Sequence, residues 1–121
     1  MVKALFDTNI LIDYLGGVAA AKKELARYEE RAISVITWME VLVGTPVDDQ
    51  AAIRSWLSSF HVIGLDSEIA SRAVEIRKRR RIRLPDAIVW ASADTHSLLL
   101  VSRNTKDFPA DEPGVRVPYK M

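Results

Sequence analysis

Four carboxylates and one amide carry the strongest chemical signal in this 121-residue chain: Asp7, Glu40, Asp86, Asp107 and Asn104. They come from four distant segments, and each stands near the exit of an apolar run or the start of a helical pattern. Brought together without an intervening Lys or Arg, four carboxylates repel strongly, and a divalent cation makes such a cluster tolerable. Ligands that are all oxygen select hard ions, Mg²⁺ or Mn²⁺, over zinc. Mg²⁺ keeps several waters, takes one or two carboxylates and accepts its remaining oxygens from phosphate. The chemistry that matches is phosphodiester hydrolysis, in which a metal activates water and neutralises charge in the transition state.

The elements needed to bring these residues together are legible from periodicity. Val2 to Phe6 reads as a buried strand that stops at Asp7-Thr8-Asn9, residues that favour caps and turns. Ile10 to Leu15 fits a short helix ended by Gly16-Gly17, and residues 18–30 fit a second. Ala32 to Val35 is the second strand. Ser34 or Thr37 then caps a helix bearing Glu40 and closed by Gly44-Thr45-Pro46. Residues 48–60 read as one helix, 61–65 as the third strand, and a further helix starts from Asp66 or Ser67. Pro85 suits the first turn of a helix that carries Asp86. Leu98 to Ser102 is the fourth strand, and Val115 to Val117 a short edge strand. Alternating strands and helices predict an α/β fold, a three-layer α/β/α sandwich around a mostly parallel sheet of four to five strands. Ligands of such sheets sit at the carboxyl ends of the strands, where Asp7, Asn104 and Asp107 lie.

Length and composition fit a single domain, residues 1–121. The chain has no cysteine, so a disulfide scaffold, a cysteine zinc site and a thiol nucleophile are excluded. With no apolar run long enough to span a bilayer and an acid at position 7, the expectation is a cytoplasmic protein with no membrane partner. The formal net charge of +1 hides an asymmetry: residues 1–66 are net −3 and residues 67–121 net +4. The excess lies in Arg77-Lys78-Arg79-Arg80-Arg81-Ile82-Arg83, of which Arg79, Arg80 and Arg81 are candidate phosphate contacts. As a plain helix end, the same run would only complement the helix dipole.

Each acid also has a role without chemistry. Asp7 or Thr8 would cap the first helix, Thr37-Trp38-Met39-Glu40 matches a capping box, Asp86 suits a helix first turn, and Asp107 suits a turn. Those roles would have to hold independently at four strand exits, and the joint pattern favours a metal site. Trp38, Trp56 and Trp90 fall on helix faces, as core or interface residues do. His61 and His96 have no partner at metal-ligand spacing.

The ordered set Leu5-Phe6-Asp7-Thr8-Asn9, Ser34-Val35-Ile36-Thr37-Trp38-Met39-Glu40, Leu84-Pro85-Asp86-Ala87 and Ser102-Arg103-Asn104-Thr105-Lys106-Asp107-Phe108 resembles the PIN-domain ribonucleases, specifically the VapC-type toxins of bacterial toxin–antitoxin pairs. The resemblance spans essentially the whole chain. It implies a metal-dependent endoribonuclease that uses Mg²⁺ or Mn²⁺, forms a homodimer and is neutralised by a cognate antitoxin. It places the metal-binding acids at Asp7, Glu40, Asp86 and the Arg103–Asp107 loop, with Thr8, Ser102, Arg103 and Asn104 in support. Many relatives carry Asp where this chain has Asn104. Asp107 is therefore expected as the fourth acid, with Asn104 orienting it or a metal-bound water, and Arg103 contacting scissile phosphate or pairing with Asp107.

Other classes fit less well. A haloacid-dehalogenase-type phosphatase needs a second Asp two residues after the first, where this chain has Asn9. A phospho-receiver domain needs paired acids at strand one, and no P-loop, Gly-x-Gly-x-x-Gly or Gly-x-Ser-x-Gly occurs. The remaining alternatives are a PIN nuclease of RNA maturation and a non-catalytic RNA- or partner-binding PIN domain.

Overall fold

The computed structural model describes residues 3–121; Val2, where the sequence reading starts the first strand, lies outside them. In chain order the elements are β1 (Ala4–Phe6), α1 (Thr8–Leu15), α2 (Ala19–Ala26), β2 (Arg31–Ser34), α3 (Val35–Val43), a 3₁₀ turn (Val47–Asp49), α4 (Gln50–Leu57), β3 (His61–Ile63), α5 (Ser67–Arg80), α6 (Leu84–Thr95), β4 (Leu99–Val101) and β5 (Val115–Arg116). The five strands form one parallel sheet in the order β3-β2-β1-β4-β5.

Strand alternation splits the core into two layers. Leu5, Ala32, Ile63 and Leu100 face the helices α5 and α6, where they meet Ile69, Ala73, Ile76, Ala87 and Val89. Ala4, Phe6, Ile33 and Val101 face the other way, onto Ile10 and Leu11 of α1, Leu25 of α2, Val41 of α3 and Leu57 of α4. β1 lies in the centre with all three residues fully buried. The predicted three-layer α/β/α sandwich is the observed fold.

Several boundaries differ from the sequence reading for identifiable reasons. Ser34 caps α3, its hydroxyl accepting from the Ile36 amide. Thr37 therefore lies inside the helix, and the Thr37–Glu40 capping box does not form. Residues 48–60 divide into a 3₁₀ turn and α4, because Pro46 forces a turn entry; the Gln50 side chain then ties the segment to the carbonyls of Leu42 and Thr45. Asp66 caps α5, accepting from the Ile69 amide. At the other end of α5, Arg81 adopts φ 55° and turns the chain so that Ile82 is buried.

The topology also locates a crevice. From β1 the chain passes to β2 on one side, while β4 lies against β1 on the other, so the connections diverge between β1 and β4. At this switch point the Asp7 amide donates to the Val101 carbonyl at 2.9 Å. Among the described residues, no helix is long and apolar enough to cross a membrane.

Candidate active site

Asp7 leaves β1 at the switch point and caps α1. Its Oδ1 accepts from the Thr8 amide at 2.8 Å, and its Oδ2 accepts from the Ser102 hydroxyl at 2.7 Å and the Asn9 side-chain amide at 3.1 Å. The carboxyl is buried, 5% exposed. Burial dominates its titration and raises its pKa to about 6, with the charges of Asp86 and Glu40 pushing the same way. Both of those acids thus act electrostatically on Asp7, as convergence requires.

Glu40 projects from α3, where the Thr8 hydroxyl donates to its Oε1 at 2.7 Å; the Thr8 and Thr37 hydroxyls are 3.0 Å apart. Thr37 is therefore a link behind Glu40 rather than a cap. Asp86 lies in the first turn of α6. Burial raises its pKa; the Arg83 guanidinium opposes that, and the neighbouring Asp107 carboxyl adds to it. Asp107 is held by Asn104, which donates from Nδ2 to Oδ2 at 3.0 Å and accepts the Asp107 amide at 3.3 Å. The structure thus places Asp7, Glu40, Asp86 and Asp107 at one end of the sheet, with Asn104 orienting Asp107.

Ser102 is the hub behind Asp7. Its fully buried hydroxyl donates to Asp7 and accepts from Asn9 Nδ2 at 3.1 Å and from the Asn104 amide at 3.0 Å. Arg103 does not pair with Asp107. Its guanidinium clamps Asp13 through two bonds of 2.6 and 2.9 Å, and Tyr119 donates to the same carboxylate at 2.8 Å. The Arg103 bonds hold the Asp13 carboxyl below the usual range. The basic run is likewise divided: Arg80 is committed to Glu112 and lies 4.5 Å over the Trp90 ring. The other end of the sheet carries different chemistry. A hollow of about 730 Å³ there is lined by Lys3, Trp90, His96 and Leu99 among others and contains none of the site acids.

The donor set suits a hard cation: the polar atoms of the four acids are oxygens, and two of the acids are raised in pKa by burial and by neighbouring carboxylates. Among the described residues no three acidic or histidine side chains stand close enough to grip one ion as a ready-made cage. Mg²⁺ does not need one, because water and substrate complete its shell.

A family model described as PIN domain matches residues 4–110. The chain belongs to the PIN-domain family. Within it, Ribonuclease VapC10 of Mycobacterium tuberculosis is 33% identical over 125 residues, with 94% of each chain covered. The tRNA(fMet)-specific endonuclease VapC of Shigella flexneri is 27% identical, covering 89% of this chain and 91% of the relative. A solved toxin–antitoxin complex from Klebsiella pneumoniae contains a chain 48% identical to this one, with a TM-score of 0.93 and coverage of 98% and 100%.

Sequence reasoning missed three contacts now seen around this PIN-domain centre. Asn9 bonds both Asp7 and Ser102, Asp13 anchors Arg103, and Arg83 reaches Asp86 at 3.3 Å. Asn9 had a usable signal, since a side chain two residues after a capping Asp can turn back on it. Asp13 had none, because its partners lie 90 and 106 positions away.

Proposed function

We propose that Asp7, Glu40, Asp86 and Asp107 form the divalent-metal centre of an endoribonuclease that acts as the toxin of a toxin–antitoxin pair. The observation that carries this reading is the group of mutually repelling carboxylates at the β1/β4 switch point, buried enough to raise Asp7 to a pKa of about 6. A cluster that costs the fold this much calls for a counter-charge, and among the described residues no cationic side chain bonds Asp7. The relatives support the reaction and the setting: two are named as a ribonuclease and an endonuclease, and the 48%-identical chain was solved in a toxin–antitoxin complex. RNA substrate, a cognate antitoxin, a homodimer and a cytoplasmic setting follow as parts of the same proposal.

Mg²⁺ or Mn²⁺, when bound, supplies an activated water and charge neutralisation at the scissile phosphate. The protein's own residues do the positioning. Ser102, Asn9 and the Thr8 amide fix both oxygens of Asp7, Thr8 fixes Glu40, and Asn104 fixes Asp107. These bonds hold the acids in place before substrate arrives, so little reorganisation is needed during reaction. The test is RNA cleavage by purified protein freed of antitoxin. Cleavage should require Mg²⁺ or Mn²⁺ and leave a 5′-phosphate, because water attacks rather than the ribose 2′-hydroxyl. Cleavage undiminished in excess EDTA, or a 2′,3′-cyclic phosphate product, overturns the reading. RNA binding without metal-dependent cleavage would instead mark a non-catalytic PIN domain.

A further inference from the structure

Four arginines are committed to acids outside the cluster. Arg103 is held in a fork by Asp13, Arg116 by Glu24, Arg72 by Asp94 and Glu75, and Arg80 by Glu112 and the Trp90 face. Arg83 differs. It precedes α6 as its N-cap residue, its side chain is 78% exposed, and among the described residues it is the arginine that touches a site acid. The contact is a single long bond, Nε to Asp86 Oδ2 at 3.3 Å, and both terminal nitrogens make no hydrogen bond among the described residues. The Asp86 side chain it meets is 13% exposed. Guanidinium here occupies the rim of an acidic centre with most of its donors free.

We propose that Arg83 is a substrate-phosphate contact that the metal-free site parks on Asp86, and that divalent cation at the acids releases it to the RNA backbone. The inference rests on the nuclease reading above. A single long bond from a guanidinium that lies mostly in solvent holds weakly, so a divalent ion competes with it successfully. Once released, a planar guanidinium with free donors is well matched to a phosphate, and it supplies positive charge where the acids would otherwise repel RNA. Arg83 would thus move from one anion to another across a short distance without leaving the α6 N-terminus.

The two halves predict effects of opposite sign, which separates this role from a purely structural one. Full-length wild type, Arg83→Ala and Arg83→Lys, freed of antitoxin, are compared by Mn²⁺ titration calorimetry. Binding of a fluorescein-labelled single-stranded oligoribonucleotide is then measured across a salt series, with Ca²⁺ replacing Mg²⁺ to hold turnover off. Arg83→Ala should tighten Mn²⁺ binding by roughly 2–5-fold, the range reached when a weak competing ion pair is removed. The same variant should reduce the log–log salt slope of RNA binding by about 0.7, one single-strand phosphate contact. Arg83→Lys should restore the slope, since it keeps a point charge. An unchanged slope in Arg83→Ala, or Mn²⁺ binding that is unchanged or weaker, overturns the inference while leaving the nuclease reading intact. A wild type that binds no Mn²⁺ overturns both.

Discussion

Replacing Asp7 by Asn should stabilise the metal-free protein at pH 8 and destabilise it at pH 4. In the folded state burial holds the Asp7 pKa at about 6, against an ordinary 3.8. The fold therefore keeps its proton while the unfolded chain loses it, and stability falls as pH rises from about 4 to about 6.5. Two pKa units correspond to about 3 kcal/mol, a penalty fully present at pH 8 and absent below about pH 4. The substituted side chain carries no charge and escapes it. The substitution has its own cost: the new amide oxygen can still accept from the Thr8 backbone N–H, and the Ser102 hydroxyl must turn to accept from the new NH₂, as it would from a protonated Asp7, but that NH₂ faces the Asn9 NH₂, which loses its acceptor. One lost hydrogen bond costs about 1 kcal/mol at either pH. The net is then about 2 kcal/mol of stabilisation at pH 8 and about 1 kcal/mol of destabilisation at pH 4. At about 4 °C per kcal/mol for a domain of this size, the melting temperature should rise by roughly 8 °C at pH 8 and fall by roughly 4 °C at pH 4. The assay is thermal melting in EDTA of both proteins at equal protomer concentration. A mutant that melts lower by the same margin at both pH values would refute the claim that Asp7 is a desolvated charge.

Asp86→Asn should abolish RNA cleavage, raise the melting temperature in EDTA by relieving burial and Asp107 repulsion, and shrink the Mg²⁺-induced shift, since metal stabilises by binding the folded state; a mutant that melts lower in EDTA, responds normally to Mg²⁺ and still cuts RNA removes Asp86 from the site. Arg103→Ala leaves Asp13, 6% exposed, without its guanidinium and should cost about 2–3 kcal/mol by urea denaturation, whereas a loss under about 1 kcal/mol would show the pair to be incidental. Arg79→Ala and Arg81→Ala should each flatten the salt dependence of RNA binding by about 0.7, while Arg80→Ala should chiefly lower stability because that side chain serves Glu112 and Trp90. An unchanged slope for Arg79 and Arg81 would make the run a solvated face or an antitoxin contact.

What the sequence reveals of this site depends on how local the cause is. Asp7 is legible because an apolar run ends on it, and a strand end in a parallel sheet is where ligands gather. Asn104 and Asp107 read together because an i,i+3 pair in a loop can close on itself, and the two-way bonding between them does so. Glu40 falls on its expected helix, but the choice of Ser34 over Thr37 as cap turns on where β2 ends, a boundary that pairing with β1 and β3 sets. The break at residues 47–50 likewise depends on Gln50 reaching back to Leu42 and Thr45. The Asp13–Arg103–Tyr119 clamp joins α1, the loop after β4 and the C-terminal segment. No periodicity encodes such a contact, and it is what diverts Arg103 from the phosphate or Asp107 role its position suggests. In the same way, Trp90 and Glu112 take Arg80 out of a basic run that looks uniform in the sequence.

The central claim is that the acids at the β1/β4 switch point hold a divalent cation. Its most direct test is an anomalous difference map from crystals of the protein soaked in Mn²⁺. A peak bridged by carboxylate oxygens of Asp7 and at least one of Glu40, Asp86 and Asp107, at about 2.1–2.3 Å, is the predicted result, and it should vanish in Asp7→Asn. No peak at the acids at millimolar Mn²⁺, or a peak confined to His61 or His96 at the opposite end of the sheet, would contradict it.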